Sequence, residues 1–473
     1  MNHKNRRDRL GKTIAVGLMI AVVFTALAFG AVEPWSMFLF EIIVLALIAL
    51  WAARAVLNKR LRVTLPDAAF PIAALVLFGL IQSVAIPDNT GRWMSLSMDV
   101  GATRMTVTAL VFMLAAFVLI TNTFATRKRL AVLSAFLVIY GLAMAIFALV
   151  QHFTWDGRFY WLRPTLATSP FGPFANHNHF AGYMELLIPL PIALVIAREG
   201  RGEIRLLYLF AAAMMGVAAV ASLSRGGMIS IAAGMMFIAL LSVRLRRDKQ
   251  LSRVTMFFSQ AVVMIAIMSV IAAGIFWIGA DQVIKRVTQG QAADSAPGRE
   301  TFLSSRGWIW RDTFSMIRAN PVLGVGLGAY ETAFPIYSES DGSLRVPQAH
   351  NEYLQVAADA GIVGVSIALW FIVAVFRTVS RGVRSRDPLL AGLALGSGGG
   401  IFAMLVHSMF DFNLQIPSNA LLFLLLVAVA SNVAAAVPNE KLARGRASRR
   451  GAEELAEAAA VQRGVGMSAE MTP

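Results

Sequence analysis

The amino-acid sequence predicts an all-α polytopic membrane protein, with about twelve transmembrane helices and one long, partly helical loop on the outer face. Three observations lead there. Of 473 residues, 57% are hydrophobic and only 15% charged, with a mean hydropathy of +0.66, which is too apolar for water-soluble domains. Apolar runs of the roughly 20 residues needed to cross a bilayer recur along the chain, beginning with Thr13 to Val32, which holds no charge. Basic residues gather in alternate connections between these runs, as the positive-inside bias requires.

The first span, 13–32, is followed directly after Glu33-Pro34 by a second at 35–53. No small-residue cleavage site separates them, so the first is read as retained and not as a signal peptide. Further spans fall at 68–87, 105–126, 130–151, 179–197, 206–223, 227–243, 254–280, 360–376, 389–410 and 414–436. Clusters at Lys4–Lys12, Arg54–Arg62, Arg127–Arg129, Arg198–Arg205, Arg244–Arg253, Arg377–Arg386 and after Lys441 hold most of the 42 basic residues. Placing these inside puts both termini in the cytoplasm. The net charge of +15 is thereby a topological signal, and a nucleic-acid partner is not expected. The chain divides into spans one to nine at 1–280, an outer loop domain at 281–359, spans ten to twelve at 360–437, and a mobile cytoplasmic tail at 438–473. It contains no cysteine, so disulfides, thiol catalysis and thiolate metal sites are excluded.

Only the segment 281–359 has room for chemistry outside the bilayer. Its first part, Gln289–Gly298, reads as flexible. Ser304 to Asn320 reads as an amphipathic helix with Trp310, Phe314 and Ile317 on one face, stopped by Asn320-Pro321. If Ser304 or Ser305 is the N-cap, Arg306 falls in the first turn, against the macrodipole, and a bound anion would remove that conflict. A snorkelling arginine at the interface is the alternative. Gly324, Gly326 and Gly328 predict a tight turn with close approach of another element; no strand precedes them, so a dinucleotide site is not expected. His350 stands just before the next span, where a helix N-terminus favours the neutral imidazole that a general base requires. An interfacial histidine with satisfied nitrogens is equally compatible.

Other outer connections carry unusual polarity. Ser224 to Gly227 is read as the whole turn between two spans, with Arg225 as an orientation anchor or as a second cation for phosphate. Asn176, His177, Asn178 and His179 crowd the mouth of a span as polar lining or helix caps. Histidines at i and i+2 do not share a helix face, so no metal site is expected. His407 and Asp411, four apart, are expected to face one side, bonded to each other or forming part of a site. Glu41 and Glu185 lie inside spans, where an ionisable group is functional, paired or protonated.

The order SLSRGG, SSRGWIW, NPVLGVGLG and QAHNEYLQVAADAGIVG resembles the bacterial O-antigen ligase and O-antigen polymerase superfamily, by motif over Ser222 to Gly364 and by span pattern over the whole chain. The HNxYLxxxxxxGxxG element beginning at His350 is the most specific part. GPFANHNHFAGY around Asn178 and HSMFDFNLQIPSNA around Asp411 also look like segments of this family. The resemblance implies a membrane glycosyltransferase of the bacterial inner membrane. It would move a glycan from an undecaprenyl-diphosphate carrier to an acceptor sugar hydroxyl, on lipid A core or on a growing glycan, at the periplasmic face. It further implies that Arg225 and Arg306 hold the diphosphate and that His350 takes the hydroxyl proton in an inverting displacement, with no cofactor and no metal. Asn351 is then a polar orienter and Tyr353 a packing residue with a polar tip. Asn178, His179, His407 and Asp411 are candidate substrate-binding residues, and Glu352 is the alternative base. The motifs do not separate ligase from repeat-unit polymerase or from protein O-oligosaccharyltransferase. A lipid-linked glycan transporter is the reading from another class; it calls for charges lining a midplane cavity or for related halves, and the sequence offers neither plainly.

Overall fold

The computed structural model describes residues 3–60, 62–87, 93–165, 167, 169–197, 199–242, 302–339 and 345–437. The expected span at 254–280, the first part of the outer loop and the tail after Val437 lie outside the described residues.

The helices are α1 (His3–Leu27), α2 (Pro34–Asn58), α3 (Ala69–Gln82), α4 (Val100–Thr123), α5 (Arg127–Phe153), α6 (His177–Leu187), α7 (Pro189–Ile196), α8 (Gly202–Ala221), α9 (Arg225–Ser242), α10 (Phe302–Ala319), α11 (Tyr330–Tyr337), α12 (Glu352–Gly382), α13 (Pro388–His407) and α14 (Pro417–Val437). Two small hairpins are the only strands among the described residues, pairing Ala85–Pro87 with Trp93–Ser95 and Arg158–Phe159 with Arg163–Pro164. Ten helical segments among the described residues are long and apolar enough to cross a membrane, with α6 and α7 forming one of them. The protein is an all-α, multi-pass membrane protein. The expected span at 68–87 is represented by α3, whose 14 residues reach about 21 Å, short of the roughly 30 Å hydrocarbon thickness.

Capping residues begin these helices where the sequence supplies them. Asp99 accepts from Ala102 N at 2.9 Å, Asn176 from Asn178 N at 2.8 Å, and Asp387 from Leu389 N at 3.0 Å just before Pro388. The window from His177 to Ile196 is 94% buried, and that of α2 only 22%, so α6 and α7 lie inside the bundle while α2 presents its apolar flank to lipid. Small residues make the inner packing possible: a Cβ on Gly396 would stand 2.7 Å from Leu190 Cα, and one on Gly234 2.8 Å from Gly399 O.

The outer segment docks on α12 through backbone against backbone. Val325 N donates to Ala358 O at 2.9 Å, Gly326 N to Asp359 O at 2.9 Å, and Ile362 N to Pro321 O at 2.9 Å. At Gly361 (φ +59°) α12 is kinked, and Gly324 (φ +70°) faces that kink. Gln82, at the end of α3, donates to Leu323 O at 2.7 Å and accepts from Leu327 N at 3.0 Å, which explains why this short helix is held there. A Cβ on Gly324 would lie 2.3 Å from Ala360 N in a left-handed conformation. Gly324→Ala is therefore expected to cost at least about 2 kcal/mol, through overpacking and backbone strain. Thermal unfolding in detergent measures this; an unmoved midpoint would contradict the docking.

α10 starts two residues earlier than expected, and its buried stripe is Ile309, Asp312, Thr313 and Met316, whereas Phe314 is 49% exposed. The expected stripe of Trp310, Phe314 and Ile317 is thus corrected at Phe314. The buried face carries polar groups because α11 and its flank supply partners: Thr313 Oγ1 bonds Tyr330 Oη at 2.6 Å and Ser338 Oγ donates to Asp312 at 2.9 Å.

Candidate active site

His350 is delivered by a clamp on the residue before it. Ala349 N donates to Gln355 Oε1 at 2.8 Å, and Trp310 Nε1 donates to Ala349 O at 3.0 Å. His350 then takes φ +50°, a left-handed backbone uncommon outside glycine, and Asn351 caps α12 by accepting from Tyr353 N at 3.0 Å and Leu354 N at 3.1 Å. Asn351 Nδ2 also donates to Met409 O at 3.1 Å, tying this corner to the connection between α13 and α14. The imidazole packs edge-on to Phe412, with ring centres 5.0 Å apart, and its side chain is 29% exposed.

The connection from Ser408 to Ile416 brings Asp411 to the same place. Its carboxylate is 1% exposed: Oδ1 lies 3.2 Å from His350 Nδ1 and accepts from Phe412 N at 3.0 Å, while Oδ2 accepts from Asn178 Nδ2 at 2.7 Å. Arg306 Nη2 stands 3.7 Å from Oδ2, and Arg306 Nη1 donates to Phe410 O. Burial alone would raise this carboxyl, but the bond to His350 and the Arg306 charge outweigh it and hold Asp411 well below the usual carboxylate range. Burial lowers Arg306, and the Asp411 charge opposes that. An ionised carboxylate only accepts hydrogen bonds, so the geometry assigns the proton to His350 Nδ1 and leaves Nε2 as the basic nitrogen.

Arg306 lies beyond the first turn of α10, so the helix-dipole conflict expected from a Ser304 or Ser305 cap does not arise; Asp411 supplies the compensating anion. The expected pairing of His407 with Asp411 is likewise not formed. α13 ends at His407, and in the turn that follows Asp411 is bonded to His407 through the backbone, N to O at 3.0 Å. The His407 ring instead bonds Glu185 of α6, Nδ1 to Oε2 2.9 Å, with both side chains buried. The His407 side chain is 1% exposed. His179 is also buried, 5.0 Å from the Phe412 ring.

Arg225 is the first residue of α9. The expected turn Ser224–Gly227 is shifted: the turn is Ser222–Ser224, with Leu223 at φ +60° and Ser224 Oγ accepting from Gly227 N at 3.1 Å as the cap. A Cβ on the neighbouring Gly226 would lie 2.9 Å from the His407 ring and 3.5 Å from Phe410 Cβ, so the start of α9 abuts the connection that holds Asp411. His177 Nδ1 lies 2.6 Å from Ser222 O, fastening α6 to the same turn. Tyr353 Oη donates to Leu405 O at 2.7 Å, a brace between α12 and α13. The carboxylate of Glu352 accepts from Leu414 N at 2.9 Å and reaches Gln415 Nε2 at 3.5 Å, which makes it a fastener of the Asn413–Gln415 turn.

The structure thus joins His350, Arg306 and Asn178 on one carboxylate, and Gly226, next to Arg225, abuts His407 and Phe410 behind it. The sequence presents Asp411 as a partner of His407 or as a binding residue. One feature of the sequence points to its central place: it is the single charged residue of the connection Ser408–Ile416.

Residues 210–382 match a family model described as O-antigen ligase. That stretch runs from α8 through α12 and contains Arg225, Arg306 and His350. No curated protein matches the chain. The match supports the resemblance to the O-antigen ligase and polymerase superfamily, and with it a membrane glycan-processing function of ligase or polymerase type.

Proposed function

We propose that this protein, similar to O-antigen ligases over residues 210–382, is an inner-membrane glycosyltransferase that moves a glycan from an undecaprenyl-diphosphate donor to an acceptor sugar hydroxyl. The observation that carries the reading is the convergence of His350 and Arg306 on the buried Asp411 at one end of the bundle. The opposite end carries Arg54, Arg127, Arg129 and Arg381, so the positive-inside bias makes that end cytoplasmic and the His350 end periplasmic.

In the proposed reaction, the acceptor hydroxyl oxygen attacks the anomeric carbon of the donor and gives its proton to His350 Nε2. The bond from that carbon to the diphosphate oxygen breaks, and the electron pair leaves with the diphosphate. Asp411 holds the imidazole in the required tautomer and stabilises the imidazolium formed, a division of labour familiar from hydrolase triads. Arg306 and Arg225 stabilise the charge that develops on the leaving diphosphate, the part a divalent cation plays in other transferases. A single displacement of this kind inverts the anomeric configuration.

Arg306→Lys keeps the charge but loses the planar fork, so kcat/KM is expected to fall roughly tenfold or more, at least about 1.4 kcal/mol of transition-state stabilisation. Near-normal turnover would argue against a diphosphate contact. Ligase and polymerase are separated by the lipid-linked material that accumulates in a deletion strain. Full-length polymer left on the carrier identifies a ligase and single repeat units a polymerase; no change in lipid-linked glycan would count against both.

A further inference from the structure

A second polar site stands at the opposite end of the bundle. Between the end of α2, the following connection and the end of α4 lies a cavity of about 580 Å³, lined among others by Trp51, Arg54, Asn58, Arg60, Arg62 and Asn122. None of its lining residues is acidic. Two acids at this end of the bundle are committed elsewhere, Asp67 to Arg381 at 2.7 Å and Asp387 to Arg127.

The arginines are held in place by the fold. Lys59 takes a left-handed conformation (φ +49°) that turns the chain back after α2. Thr64 and Asn122 then exchange two hydrogen bonds, Thr64 N to Oδ1 at 2.8 Å and Nδ2 to Thr64 O at 2.9 Å, which pin the connection carrying Arg60 and Arg62 to α4. Arg54 Nε is shielded from solvent and has no hydrogen-bond partner among the described residues. A shielded guanidinium donor left unsatisfied, beside a cavity that Arg60 and Arg62 also line, is costly unless an acceptor sits there.

We infer that this cavity binds a phosphate-bearing anion, and that its source is the headgroup of an anionic membrane lipid. The choice of source rests on the flank of α2. Leu45 is 53% exposed and Val56 76%, giving acyl chains an apolar surface that leads to the arginines, and Trp51 is suited to the headgroup level. The volume is ample for a phosphodiester headgroup. The inference is independent of the transferase reading, because the cavity and the His350 centre lie at opposite ends of the helices.

The test uses the full chain in nanodiscs of mixed phosphatidylglycerol and phosphatidylcholine, with retained lipid counted by native mass spectrometry after detergent release. The triple variant Arg54→Lys, Arg60→Lys, Arg62→Lys preserves the cytoplasmic charge that sets topology but removes bidentate phosphate binding. The parent is expected to retain phosphatidylglycerol at least about tenfold over phosphatidylcholine, and the variant to lose that preference. Millimolar inorganic phosphate is expected to leave the bound lipid in place. Equal retention of the two lipids by the parent, or unchanged preference in the variant, overturns the inference. Binding of inorganic phosphate without lipid retention overturns the lipid source. If the triple variant fails to insert, Arg62→Gln alone, at an exposed position, is read by the same criteria.

Discussion

His350→Ala is expected to insert and fold as the parent does, while glycan transfer falls by roughly 10²- to 10⁴-fold, the range that a positioned general base contributes. The imidazole side chain is 29% exposed and makes one polar contact among the described residues, to Asp411, so its removal leaves no large cavity. The backbone at position 350 remains clamped by Trp310 and Gln355 through Ala349 and by the Asn351 cap. KM for the lipid donor is expected to change little, because in the proposed reaction His350 meets the acceptor proton and not the diphosphate. Transfer assays with matched membrane levels check this. Transfer within a few-fold of the parent would remove the base from the mechanism.

Asp411→Asn is expected to lower both activity and stability. The substitution keeps the shape but removes the charge that Arg306 faces at 3.7 Å and that His350 Nδ1 faces at 3.2 Å. Breaking a buried pair by neutralising one partner costs about 3–5 kcal/mol when the other charge stays buried, and the Arg306 side chain is only 11% exposed. The imidazole also loses the acceptor that fixes its tautomer, so turnover is expected to drop at least about 10²-fold. Because the folded carboxyl titrates below its unfolded value of about 3.9, its stabilisation is complete above that pH and is lost as the pH falls through the folded value. The gap in thermal midpoint between parent and Asp411→Asn should accordingly be widest near neutrality and close in strong acid. A gap that widens in acid would contradict the assignment. Combined with His350→Ala, Asp411→Asn should add little further loss of activity, since the two act as one unit.

Much of the architecture was legible because membrane spans have a strong signal. Long uncharged runs and clustered arginines mark the membrane-spanning helices, and the glycines at 324, 326 and 328 signal the close contact that docks the outer segment. α3 was harder to judge. Its apolar composition matches a span, but its length depends on where Gln82 finds partners in Leu323 and Leu327, far away in sequence. The site was legible in its individual members and not in their connections. The i, i+4 spacing suggested that His407 and Asp411 are partners, yet the helix stops at His407, and Glu185, remote in sequence, takes the imidazole. Nor does any local pattern show that Ala349 is held from both sides, the contact that sets His350 in its left-handed conformation.

The most direct measurement reconstitutes the purified protein in proteoliposomes with an undecaprenyl-diphosphate-linked glycan and a sugar acceptor, and follows both products. The account predicts undecaprenyl diphosphate released in equal amount to the glycan transferred, an inverted anomeric linkage, and loss of both products in His350→Ala. Transfer with retained configuration, or product formed as well by His350→Ala as by the parent, would contradict it.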